Sequence, residues 1–334
     1  MTAGTPRAAP EWRARVRRGR AAGPAVLPPS VPLSFLAAAS PGLAACGAAL
    51  AWARNAAAAD PTADPVVAAL HLGVLATLSM AVLGALHQFT PVVTHTPLRS
   101  VRLARATFVT WLAASWLLPL GVAAGREDVV EAGGGLAAVA IALLVVNLWA
   151  ALLVRGKGSA VTGLRLAVTG LVVTACYGMI YVADRRGNWF DLTGHVVLAH
   201  AVVGLFAWLG LTYVTLAGKL WPMSLLANFP GRRRPGTLAV WAVPAGVALL
   251  SPGLLLGVAG LAWAGAAVLA GGLAAHLASL LAHLRDRRRR ADLFLAFVVT
   301  SAIWLLAGAG LARAGGPVGG RKQQPGGGGG GGRG

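Results

Sequence analysis

Apolar residues in this chain come in long unbroken runs rather than in the short alternations of a soluble domain. Nine such runs lie near residues 32–53, 66–90, 106–124, 133–154, 160–183, 193–218, 238–257, 260–283 and 293–313. Each is close to the roughly 20 residues that an α-helix needs to cross a bilayer. Polar, mostly Arg-bearing segments separate them, except between the seventh and eighth runs, where an apolar turn around Gly257 and Gly260 is the only boundary. The pattern predicts an all-α, polytopic helical bundle of about nine transmembrane helices over residues 31–313. Residues 1–30 read as a disordered basic cytoplasmic tail, with a short surface helix at EWRARVRRGR and no early apolar core of a cleavable signal peptide. Residues 314–334 read as a disordered Gly-rich tail.

Composition sharpens this picture. The chain of 334 residues is 57% hydrophobic and 12% charged, about half the charge of a soluble domain, so lipid is the expected solvent for most of it. A net charge of +19 invites a nucleic-acid reading. The basic residues, however, are parcelled out between apolar runs instead of gathered on one domain, and no nucleic acid is expected. They sort instead by loop. With the N-terminus inside, the inner segments hold 21 of the 29 Lys and Arg residues, while Asp60, Asp64, Glu127, Asp128, Glu131, Asp184 and Asp191 all fall outside. That is the positive-inside pattern, and it predicts an N-in, C-out protein of the cell membrane. Trp52 and Trp189 near outer ends, and Trp149, Trp221 and Trp241 near inner ends, match an aromatic belt. Ala- and Gly-rich spans such as AGAAVLAGGLAAH favour close helix approach, although a coding bias toward small residues gives the same composition. Cys46 and Cys176 belong to no CxxC or Cys/His cluster and read as small buried residues.

Candidate chemistry lies in the histidines. The second run, HLGVLATLSMAVLGALHQFTP, carries His71 and His87 near its two ends, followed by a proline. Ionisable side chains inside a span are costly and are functional candidates for that reason. No carboxylate lies deep in a run, which argues against a proton pump or an ion-coupled transporter and toward neutral imidazole ligation of haem or copper. On an ideal helix His71 and His87 are about 24 Å apart in height and ~160° apart in azimuth, so they belong to different sites. The predicted topology places His71 level with His200, with His195 about two turns further out. It places His87 in the opposite leaflet, with His276 or His283 as partners. The ordinary alternative for each histidine is a hydrogen bond to a backbone carbonyl, and His95 reads as an ordinary loop residue.

The second and sixth runs also align without gaps. HLGVLATLSMAVLGALHQFTPVV lies on VVGLFAWLGLTYVTLAGKLWPMS, matching Gly73 with Gly204, Ala76 with Ala207, Leu78 with Leu209 and Pro91 with Pro222. This is a weak parallel repeat. Both stretches resemble the core helices of the haem–copper oxidase and nitric oxide reductase large-subunit family, whose pattern is H-x-H-L-x-x-x-G-W-x-x-L-T-x-x-G with an L-x-P turn. They also resemble the membrane part found ahead of actinobacterial multicopper oxidase or copper nitrite reductase-like proteins. One copy keeps His71 but has Ala69 two residues earlier; the other keeps His200 but has Val202 two residues later. The chain has no adjacent His-His pair, no His-x-x-x-Tyr and no cupredoxin domain.

The resemblance therefore implies the scaffold and a b-type haem, with copper second, but no oxygen- or NO-reducing centre and no catalytic residues. The expected cofactor-binding residues are His71, His200, His195, His87 and His276, with His71 and His200 as the metal pair. The expected function is that of a redox or electron-transfer component with a cupredoxin or cytochrome partner. Two other readings stand beside it: a permease for a metal ion or small molecule, and a non-catalytic scaffold subunit of a membrane oxidase.

Overall fold

In a computed structural model, residues 27–300 are described apart from 156–157, 188–192, 228–233, 291 and 294, together with residues 303 and 307; of 193–195 and 234 the backbone alone is described. Among the described residues eight helices are long and apolar enough to cross a membrane. They are α1 (Ser30–Trp52), α2 (Asp64–Thr94), α3 (Val101–Ala123), α4 (Glu127–Leu152), α5 (Ser159–Gly187), α6 (193–224), α7 (Arg234–Leu255) and α8 (Ala259–Arg285). The protein is an all-α, multi-pass membrane bundle, and the first eight runs each correspond to one helix. Of the ninth run, residues 295–300 are helical and most of the remainder lies outside the described residues, as do nearly all of the N-terminal tail, the C-terminal tail, Lys157, Trp189 and Asp191.

The doubtful boundary at Gly257 is a genuine turn. Gly257 takes φ +66°, its N–H donates to Leu254 O at 3.2 Å, and the Val258 N–H donates to Gly253 O at 2.9 Å. A left-handed glycine with these two bonds satisfies the last carbonyls of a helix and stops it. The turn between α3 and α4 repeats the arrangement: Gly125 has φ +62°, Gly125 N–H donates to Val122 O at 3.2 Å, and Arg126 N–H donates to Gly121 O at 2.9 Å.

That correspondence runs through the whole molecule. The α1–α4 and α5–α8 units share their packing details residue by residue. A Cβ on Gly42 of α1 would lie 2.5 Å from the Ala76 carbonyl of α2, and one on Gly170 of α5 would lie 2.6 Å from the Ala207 carbonyl of α6. Cys46 packs at the Cβ position of Gly73 as Thr174 does at that of Gly204. In the hairpins, Gly121 meets the Val130 backbone and Gly253 meets that of Ala262. Ala76/Ala207 and Gly73/Gly204 are pairs of the weak repeat. The bundle is thus built from two copies of a four-helix unit, with the crossing points kept by small residues that let backbones touch.

Both α2 and α6 contain a π-helical stretch of eight residues, Leu72–Ser79 and Val203–Gly210. The alignment of Pro91 on Pro222 lays Leu72 on Val203 and Ser79 on Gly210. Each stretch closes with the same wide bond, from Met80 N–H to Leu75 O and from Leu211 N–H to Phe206 O. The Trp208 indole N–H donates to Ser79 Oγ at 2.9 Å, tying the two stretches together in the buried centre. Met80 and Leu211, which follow them, are fully buried.

Some expectations need correction. Pro91 and Pro222 do not follow their helices but lie inside them; Pro41, Pro119, Pro244 and Pro252 lie inside theirs, as the runs predict. Tertiary packing carries each helix past the missing N–H. Asp184 is not a loop residue: α5 continues to Gly187, and Asp184 is buried. Cys176 is exposed and Cys46 half-buried. Tryptophans mark both ends of the bundle, Trp52 and Trp263 at one and Trp149 and Trp241 at the other, all exposed, as anchors at the two lipid–water boundaries would be.

Candidate functional site

The histidine pair expected at matched depth is brought together. His71 stands at the entrance to the π stretch of α2, and His200 three residues ahead of that of α6. Their ring centroids are 6.2 Å apart and their planes differ by 20°. Each ring is held by a carbonyl. His71 Nδ1–H donates to Val67 O at 2.8 Å, one turn back on its own helix. His200 Nδ1–H donates across to Thr174 O of α5 at 3.0 Å. Fixing the proton on Nδ1 leaves the Nε2 lone pair of each neutral ring free, the tautomer that ligates metals. Gly178 leaves the space beside His200 open: a Cβ there would lie 3.2 Å from His200 Cε1.

Above the pair, ion pairs close this end of the bundle. Arg185 reaches Asp64 at 3.4 Å and Arg186 reaches Glu131 at 2.5 Å, joining the C-terminus of α5 to the N-termini of α2 and α4. Both are more than a third exposed and add little stability individually; their value is geometric, since Asp64 begins the helix that carries His71. In the loop before it, the Asp60 carboxylate accepts from the Thr62 hydroxyl and backbone N–H, and these bonds, the hydroxyl's first, hold its pKa below the usual value.

The second layer is not assembled as the sequence suggested. His87 is fully buried, donates from Nδ1 to Leu83 O at 2.8 Å, and stacks on Phe35 of α1 at 5.4 Å. His276 faces Tyr213 at 5.2 Å and Trp221 at 5.9 Å, on α6. The two histidines thus sit against different helices. His283, seven residues on, is also buried. The Nε2 atoms of His87 and His276 are buried without a hydrogen-bond partner. His195's side chain lies outside the described residues. His95 is the left-handed residue that ends α2, at φ 52°. The eight π residues between His71 and His87 also void the 160° azimuth, because a π turn advances each residue less than an α turn.

Two imidazole nitrogens with a metal between them, at about 2 Å each, put the ring centroids roughly 6 Å apart, which is the spacing seen. Among the described residues no three His, Cys, Asp or Glu side chains gather at one point. A bare divalent ion wants three or four protein ligands; an iron already held by a porphyrin needs only two. Two imidazoles with free Nε2 atoms are as many protein ligands as an iron already held by a porphyrin takes. No family model matches the chain, and no curated protein or solved structure matches it.

Proposed function

We propose that this membrane protein is a redox component in which His71 and His200 would hold the iron of a b-type haem between its four-helix halves. The observation that carries the reading is the facing pair itself: two half-buried imidazoles 6.2 Å apart, each with Nδ1–H tethered to a carbonyl and Nε2 left to bind. Bound there, the haem would supply a one-electron couple inside the bundle. The chain's own part is to fix both tautomers, hold the rings nearly parallel and screen the site with α1, α2, α5 and α6. Electrons would pass to or from a cupredoxin or cytochrome partner at the cell membrane. The permease alternative has less to rest on: among the described residues the helices continue through all six internal prolines named above, where a transporter's helices are often broken.

The test is the absorbance spectrum and metal content of the full chain purified in mild detergent. A Soret band with iron in proportion to protein is expected, and His71→Ala and His200→Ala should each remove it. If both variants keep the band unchanged, or if the metal is copper without porphyrin, the haem assignment is wrong.

A further inference from the structure

At the end of the bundle away from His71 and His200, a cavity of about 220 Å³ opens between the end of α4, the start of α5 and the start of α7. At roughly 30 Å³ per water, that is several waters' worth of space. The residues that line it include Arg165, Ser159, Thr162, Thr237 and Trp241, and the Thr162 hydroxyl donates to Gly158 O at 3.5 Å. Among the described residues no carboxylate lines it. Arg165 is fixed in place: its Nε–H and one Nη2–H donate to the carbonyls of Leu152 and Val154 at the end of α4. Three of its five N–H donors stay uncommitted to those bonds, so the group presents a net positive charge on a rigid mount. Ser159 opens α5, and the first N–H groups of a helix lack partners within it. Trp241 is 55% exposed on the same bundle end as Trp149, 54% exposed, the level of the lipid head groups for a belt tryptophan.

We propose that this cavity binds the phosphate of an anionic phospholipid, with Arg165 as the cation, the Ser159 and Thr237 hydroxyls as donors and Trp241 packed along the glycerol and upper acyl chains. Charged pockets between membrane helices at head-group depth suit such lipids. A soluble phosphate would meet the same cation and hydroxyls but would have no use for the exposed indole at the rim.

The experiment uses the full chain, delipidated in detergent and followed by native mass spectrometry as phosphatidylglycerol is added. Wild type should retain phosphatidylglycerol at least tenfold better than diacylglycerol, which lacks the phosphate. Thr237→Glu, an exposed rim change that places a like charge beside the phosphate, should lose that preference, and so should Arg165→Gln. Because Arg165 also caps α4, Thr237→Glu keeps the test meaningful if Arg165→Gln does not fold. Equal retention of diacylglycerol, or undiminished phosphatidylglycerol binding by well-folded Thr237→Glu, overturns the proposal. So does displacement of the lipid by millimolar inorganic phosphate, which would make the ligand a soluble anion.

Discussion

At the scale of single residues, the pair His71/His200 depends on groups that are not themselves chemical. Val67 and Thr174 act through their carbonyls, and Gly178 acts by lacking a side chain. Gly178→Ala would place a methyl 3.2 Å from His200 Cε1, so the ring must tilt. We expect a cost of about 1 kcal/mol in stability, together with a shifted but surviving absorbance band, in contrast to the loss expected for His200→Ala. An unshifted spectrum would mean that His200 is not a ligand. The histidines were legible as candidates because a polar group in an apolar run stands out. Val67, Thr174 and Gly178 were not, because a carbonyl or an absent Cβ has no signature in the chain. Arg165 read as one more topology charge until its fixed guanidinium was found in the wall of a cavity.

At the scale of elements, the two π stretches meet across the halves through a single side-chain bond. A π turn is rare, costs hydrogen-bond geometry and often marks a functional position; here two occur at equivalent positions, each beside one of the facing histidines. Their junction is the bond from the Trp208 indole to Ser79 Oγ, with Ser79 and Trp208 almost wholly buried. Ser79→Ala leaves a buried indole N–H without an acceptor, which should destabilise the bundle by roughly 1–3 kcal/mol, measurable by thermal or denaturant unfolding in detergent. Trp208→Phe removes donor and need together and should cost less hydrogen-bond energy than Ser79→Ala. If Ser79→Ala is neutral, the junction does not hold the halves. The aligned prolines pointed toward this symmetry, but periodicity could not locate the wide turns: an apolar run looks the same at 3.6 or 4.4 residues per turn when every face is apolar.

At the scale of the whole molecule, the eight described spans form a tandem pair of four-helix units, and the charge pattern gives an expected orientation that labelling can test. The N-in, C-out arrangement predicts that a cysteine at position 126 is labelled by a membrane-impermeant reagent on intact cells, whereas one at position 99 is labelled only after permeabilisation. The reverse result would invert the topology. Sequence by itself determined the class, the eight described spans and most of their limits, since span length and hydropathy answer to the thickness of the hydrocarbon layer, a property of the solvent rather than of packing. It also singled out His71 and His200, because their depths follow from counting residues along spans of the same direction. Only the tertiary structure decided that α1–α4 repeats as α5–α8, that Asp184, Pro91 and Pro222 belong inside helices, and that His87 and His276 face Phe35 and Tyr213 rather than one another. Those outcomes depend on helix azimuth and on which neighbour each face meets. In lipid, where every face of a helix is apolar, azimuth leaves no trace in the hydrophobic pattern and is set by contacts between residues far apart in the chain.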